Sequence, residues 1–302
     1  LPPTTLFRSE ATITGTSLRA QATGSLDVSG STTKVAMNVT SDVLDIDRYL
    51  PPPSKEMTPA QPSGRGTAPP ANPLALLSDK PLDLSALRNT DADIKVAIAG
   101  VKVLGYEVGR IVFAMTAKSG LMNAELSELA LYGGSVTGKA KLDATGSAAD
   151  ITTSARIDHV TIDKPVQLAT GKAMATGAVS AALDVSAKGT SARGLADALA
   201  GKLALDLGGV TVKDMAPHPI SGLKVDIDLP GQDKELSLKS SLVYNGEPIS
   251  TTVTAGPMRK VLAGEKFSAK FAVASKMVSL GYDGAIQRQP MPGLDRSEER
   301  RV

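Results

Sequence analysis

The stretch GAVSAALDVSAKGTSARGLADALAGKLALDLGGVTVKD, residues 177–214, carries three local signals in a fixed order. Val179, Ala181, Leu183 and Val185 alternate with Ser180, Ala182, Asp184 and Ser186, the period-two pattern of a strand with one wet face. Lys188 to Ser191 break that rhythm. Ser191 then stands as an N-cap before an Ala- and Leu-rich run, so the sequence predicts one short helix over Ala192 to Ala200, closed by Gly201. Alternation resumes with Leu203, Leu205 and Leu207 against Lys202, Ala204 and Asp206, and after Gly208-Gly209 a further strand is expected over Val210 to Lys213.

The same rhythm spreads outward in both directions. Upstream, strands are expected at Ile13 to Ala22, Gly24 to Val28 and Lys34 to Val39, then at Asp93 to Ala99, Arg110 to Ala117, Leu121 to Leu131, Ser135 to Leu142 and Asp150 to Ile157. A second short helix fits Lys164 to Thr170. Downstream, Lys224 to Leu229 and Glu235 to Tyr244 lead into Asn245-Gly246, a strong hairpin signal. Ile249 to Ala255 completes that hairpin, a helical turn fits Met258 to Ala263, and Phe267 to Ser275 with Met277 to Tyr282 form a last pair. Turns of Gly, Asn or Asp separate nearly all of these strands, which argues for an antiparallel meander. Between Pro51 and Pro73 stand eight prolines among Ser, Thr, Gly, Lys and Ala, a composition that reads as a disordered loop. The expected organisation is therefore an N-terminal β segment (1–50), a Pro-rich disordered loop (51–80), a β domain (81–214), a further β-meander segment (215–290) and a tail (291–302). The last seven residues, Arg296 to Val302, resemble sequencing-adapter read-through and are left out of fold reasoning.

Each strand is apolar on one face only, and that face must be covered. Two or three short helices cannot cover it. A second sheet could, giving a β-sandwich, but sandwiches favour bulky aromatic anchors and only 3% of residues are aromatic. The other solution is a long curled antiparallel sheet, mainly β, leaving an open groove or half-barrel lined by aliphatic side chains. Its candidate lining is Ile94, Val96, Ile98, Ile111, Phe113, Met115, Val179, Leu183, Val185, Leu203, Leu205, Leu207, Val225 and Ile227. Such a lining suits acyl chains, whose exposure to water costs about 0.8 kcal/mol per CH₂. Both architectures stand at this point, the sandwich as a structural module meeting protein partners.

Three separated segments carry a family resemblance. They are the 177–214 pattern itself, Leu44-Asp45-Ile46-Asp47-Arg48-Tyr49-Leu50-Pro51, and Leu129-Ala130-Leu131-Tyr132-Gly133-Gly134-Ser135-Val136-Thr137-Gly138. Together they resemble the AsmA family of Gram-negative envelope proteins over roughly residues 43–214. The resemblance implies a periplasmic β-rich body anchored in the inner membrane by a segment upstream. It also implies a part in outer-membrane biogenesis, phospholipid transport and protein targeting to the membrane, with no catalytic residues.

Other functions find little support. With 33 Lys and Arg against 31 Asp and Glu, scattered rather than clustered, nothing points to nucleic acid. The absence of cysteine removes disulfides, thiolate chemistry and Cys-based zinc sites. Gly133-Gly134-Ser135-Val136-Thr137-Gly138-Lys139 matches the start of a phosphate-binding loop, but Ala140 replaces the required Ser or Thr and a strand continues where a helix should begin. His159 and His218 lack ligand spacing. The pairs Asp45 and Asp47, Asp91 and Asp93, and Asp226 and Asp228 read as solvated strand faces rather than acid-base machinery. No enzyme activity, cofactor or metal is expected.

Overall fold

The computed structural model describes residues 6–14, 19–48, 77–103, 106–172, 175–212, 220–263 and 265–287. The N-terminal strands are β1 (Leu6–Thr14), β2 (Arg19–Asp27) and β3 (Thr33–Asp45), followed by a 3-10 turn at Ile46–Arg48. Helix α1 (Ser85–Arg88) precedes β4 (Thr90–Val103), β5 (Tyr106–Lys118), β6 (Leu121–Leu131), β7 (Gly134–Asp143) and β8 (Ala149–Thr161). Then come α2 (Asp163–Thr170), β9 (Ala175–Thr176), β10 (Ala178–Gly189), α3 (Ala192–Asp197), β11 (Ala200–Leu207) and β12 (Thr211–Val212). The series closes with β13 (Ile220–Leu229), β14 (Leu236–Tyr244), β15 (Glu247–Gly256), α4 (Met258–Ala263), β16 (Phe267–Ala274) and β17 (Ser279–Ile286).

Fifteen of these strands form one sheet in chain order, and β9 with β12 forms a separate two-stranded ladder. The order is linear, from β1 to β17, so the sheet does not close into a barrel. No second sheet faces it among the described residues, which overturns the sandwich alternative. The fold is the long curled sheet with short helices, and β13 to β17 belong to it. One joint departs from the antiparallel meander: β3 and β4 run parallel, Val39 opposite Val96. A parallel pair needs a long return connection, and residues 46–89 supply its length. The Pro51–Pro73 loop itself lies outside the described residues.

Several expected boundaries move. The single strand over Ile13 to Ala22 is instead two, β1 and β2, paired as a hairpin with Ile13 opposite Ala20. Ser191 does cap α3, its Oγ accepting a hydrogen bond from the Gly194 N–H at 3.0 Å. That helix stops at Asp197, however, and Gly201 is a strand residue opposite Val185. A Cβ on Gly201 would sit 2.2 Å from the Asp184 carbonyl oxygen, so the glycine serves close strand approach and not a helix end. The strand after Gly208-Gly209 starts at Thr211 rather than Val210 and is described through Val212, and the last strand spans Ser279–Ile286 rather than Met277 to Tyr282. Asn245-Gly246 makes the expected turn, with φ of 51° and 79°.

Two features account for the curl. Register slips fall between Val108 and Ile111 on β5, Leu126 and Leu129 on β6, Ile157 and Val160 on β8, and Ser221 and Lys224 on β13. Each is an extra residue that bends its strand, and all four lie toward the strand ends that carry α2. At the opposite ends, residues 77–89 form a strap. The Leu82 N–H donates to the Thr190 carbonyl at 2.8 Å, Arg193 N–H to that of Ser78 at 3.2 Å, and Thr33 N–H to that of Asn89 at 2.9 Å. Arg88 Nε donates to the Ala144 carbonyl at 2.6 Å, and its Nη2 to that of Gly146. From Leu82 to Thr90 the chain, half of it in α1, reaches about 20 Å. The five strand spacings from β4 to β10 come to about 24 Å. With the Leu82–Thr190 hydrogen bond added, the strap just spans these ends and has little slack.

Burial follows from this shape. No large side chain among the described residues is fully buried, and the buried apolar residues are Ala117, Ala144, Ala149, Val160 and Ala269. All except Val160 lie near the strap, α1, α3 and α4. The sheet has a seam at one end in place of a central core.

Candidate functional site

Residues opposite each other in a ladder share a face, so the register itself builds the site. Starting from Ala11 and Ala22, one row crosses the whole sheet through Val39, Val96, Phe113, Leu126, Gly138, Ala155 and Leu183. It continues through Leu203, Ile227, Leu238, Val253, Phe271 and Tyr282. No member is charged, and every strand of the large sheet contributes one. Fourteen steps of about 4.8 Å make the row about 67 Å long.

The fourteen candidate lining residues all fall on this face, and all are half-buried. Val96, Phe113, Leu183, Leu203 and Ile227 lie in the central row. Ile98, Ile111, Leu205 and Val225 form the next row toward the α2 ends, where Leu207 opposes Leu223 and Val179 opposes Val160. Ile94, Met115 and Val185 lie on the strap side. Sequence reasoning missed Leu126, Leu129, Ile157, Leu238, Val253 and Phe271, although their strands show the same alternation.

Alanine reports which way the sheet curls, because its side chain has one size everywhere. On the polar face, Ala36, Ala99, Ala114, Ala272, Ala274 and Ala285 are exposed, while Ala97, Ala130, Ala182, Ala200 and Ala204 are half-buried. On the apolar face no strand alanine with described burial is exposed, from Ala22 through Ala124, Ala140, Ala155 and Ala181 to Ala269. The apolar face is the crowded, inward side of the curl. Among the described residues no second sheet lies over these half-buried aliphatic side chains, and they line the open curl as a trough.

The outward face is charged. Cross-strand pairs run along it, with Lys139 and Glu125 at 3.2 Å, Arg156 and Asp184 at 3.3 Å, Lys224 and Asp206 at 2.9 Å, and Lys270 and Asp283 at 3.1 Å. Exposed pairs of this kind contribute little stability, but they fix which face meets water. Asp206 is held below its ordinary pKa by the hydrogen bond from Lys224 and then by the Gly208 N–H. Shallow depressions of about 340 to 490 Å³ lie on this face, among residues such as Glu125, Lys139, Ser154 and Lys202. They are gaps between long polar side chains on a pleated surface and bring no chemistry together.

The other motifs resolve as structure. Tyr132 and Gly133, at φ of 45° and 81°, form a two-residue hairpin turn, and Gly134 to Lys139 continue as β7. His159, at φ 51°, occupies the β8 bulge with its ring beside Asp158, and His218 lies outside the described residues. Lys95 lies 3.5 Å from Asp93 and Lys202 3.9 Å from Asp228, both pairs at the surface. No group of three or more acidic or histidine side chains is placed to hold a metal among the described residues. No helix among them is long and apolar enough to cross a membrane.

A family model described as the AsmA family matches residues 4–226, from before β1 into β13. The chain belongs to the AsmA family. Searches of curated proteins and of solved structures gave no significant match. The sheet outlasts the family match: β14 to β17 continue the same rows without a break in face.

Proposed function

We propose that this AsmA-family chain is a non-enzymatic segment of an envelope protein that shelters phospholipid acyl chains in its trough and lets them move between inner and outer membranes. The observation that carries this reading is the uncharged row from Ala11 to Tyr282, unbroken across fifteen strands and, among the described residues, without a second sheet over it. A sixteen-carbon chain exposed to water costs about 12 kcal/mol, and an aliphatic surface some 67 Å long removes that cost at every point along it. A lining without fixed polar partners holds tails without choosing among them, which suits sliding over capture. Family membership supports the envelope setting, with the body in the periplasm and tethered to the inner membrane.

Mass spectrometry of an organic extract of the purified chain tests the proposal. Phospholipid is expected at stoichiometric or greater amounts in the parent, and Phe113→Asp and Leu205→Asp, which place a carboxylate in the trough, should cut the yield at least tenfold. A clean extract from the folded parent, or unchanged lipid in both variants, would overturn it.

A further inference from the structure

We propose that Ser240 and Thr251 form a resting point in the trough that binds the ester carbonyl of a diacyl phospholipid. The pair would act within the lipid-sheltering role proposed above, on which this inference rests, and it fixes which part of the lipid is held.

The row beside the central one, on the side of the α2 ends, runs from Ile98 on β4 to Val225 on β13 without a polar side chain. On the next two strands it changes character. Val225 opposes Ser240, Ser240 opposes Thr251, and Thr251 opposes Val273, so two hydroxyls stand side by side between aliphatic neighbours. Along their own strands Leu238, Leu242, Ile249 and Val253 flank them on the same face. From β4 to β16, the only other hydroxyl in the central row and its two adjoining rows is Thr153, alone on β8.

Both residues are half-buried. Neither hydroxyl has a hydrogen-bond partner among the described residues, whereas Ser41, farther along the same row, donates to the Arg19 carbonyl at 3.2 Å. The side-chain polar atoms that are both shielded and unpaired among the described residues are Tyr132 Oη and Glu247 Oε2, so the two hydroxyls are open to the trough.

Hydrocarbon lying over an unpaired hydroxyl strips its water and returns no hydrogen bond. An acyl tail is therefore favoured on the surrounding rows and disfavoured on the pair itself. A hydroxyl pair set in an aliphatic surface fits a neutral acceptor attached to hydrocarbon, and a diacyl phospholipid carries one as the ester carbonyl where each tail begins. Its phosphate fits less well. Among the described residues no Lys or Arg shares this face of β13 to β16, and the one charged side chain there, Glu247 on β15, repels an anion. The pair does not choose among tails, because every diacyl phospholipid brings the same ester; it slows sliding at one station.

Competitive loading of the full chain with dipalmitoyl phosphatidylcholine and its dihexadecyl ether analogue tests the proposal. The two probes share headgroup, phosphate and tail length and differ in the ester carbonyl. The parent should load the diester over the diether by about fivefold or more, the scale of one hydrogen bond. Ser240→Ala combined with Thr251→Val, which removes both hydroxyls with little change of volume, should bring the ratio to about one while total lipid and the thermal midpoint stay as in the parent. Thr252→Val, on the outward face, should keep the parent ratio. Equal loading of the two probes by the parent, or a preference that survives in the double variant, would overturn the proposal and leave the lipid reading standing. A folded parent that loads neither probe would overturn both.

Discussion

Gly201 shows what a single missing side chain does in this sheet. Its backbone lies so close to β10 that any Cβ would meet the Asp184 carbonyl and the backbone of Val185. Gly201→Ala should therefore lower stability by about 1–3 kcal/mol, read as a fall in the midpoint of chemical denaturation. Four aspartates act through a different route. Asp27, Asp83 and Asp143 are held below the ordinary 3.8 by hydrogen bonds from Ser29, Ser85 and Thr145, and Asp206 by Lys224. A carboxyl with a lower pKa folded than unfolded contributes stability above its unfolded pKa and loses it as pH falls through the folded value. Thermal midpoints should accordingly be flat from pH 7 to about pH 5 and decline below about pH 4, with Asp206→Asn giving a shallower acid limb. Neither residue role was legible beforehand. A glycine after a helical run looks like a helix end whatever it does, and the Asp206 partner sits on a strand that only tertiary pairing brings near.

Among the elements, the strap from residue 77 to 89 does most to hold the curl. Arg88 is its pin, since one guanidinium satisfies the carbonyls of Ala144 and Gly146 in the β7–β8 turn. Arg88→Ala should cost about 1–2 kcal/mol and raise hydrogen exchange at residues 77–90 and 144–149 while β14 to β17 keep their protection. Unchanged exchange at the turn would show that α1 stays seated without it. Strand existence and facing were readable from the sequence, because alternation is local and Asn245-Gly246 fixes its hairpin without help. The strap was not. Ser85 to Arg88 is too short to show a helical period, and its contacts join residues more than fifty positions apart. The antiparallel joints were readable from their short turns, but the parallel joint of β3 with β4 was hidden, since a period of two looks the same in both kinds of ladder.

At the scale of the whole molecule, a one-layer sheet has few contacts beyond nearest neighbours, so its stability is close to a sum of pairwise strand interfaces. A ligand lying along the trough touches many strands at once and couples them. If the trough carries lipid, delipidated chain should melt at a lower temperature than loaded chain, by the equivalent of about 2.7 kcal/mol when lipid stands at a hundred times its dissociation constant. Scanning calorimetry before and after extraction with a mild detergent reads this directly, and identical melting curves would count against occupancy. The rows of the trough were legible because hairpin turns fix register and register fixes face, so Val96 and Ile227 could be assigned together without knowing their distance. The central row could not be traced past the bulges from sequence, because each extra residue resets the alternation without a compositional mark.

The parallel joint between β3 and β4 bears on how such a chain is assembled. A pure meander can be laid down in the order of synthesis, each strand joining the one before it. Here β1 to β3 are made before β4 and lack that neighbour until residues 46–89 have followed. Among the described strands, this like-directed seam is where two separately laid runs of hairpins are stitched together.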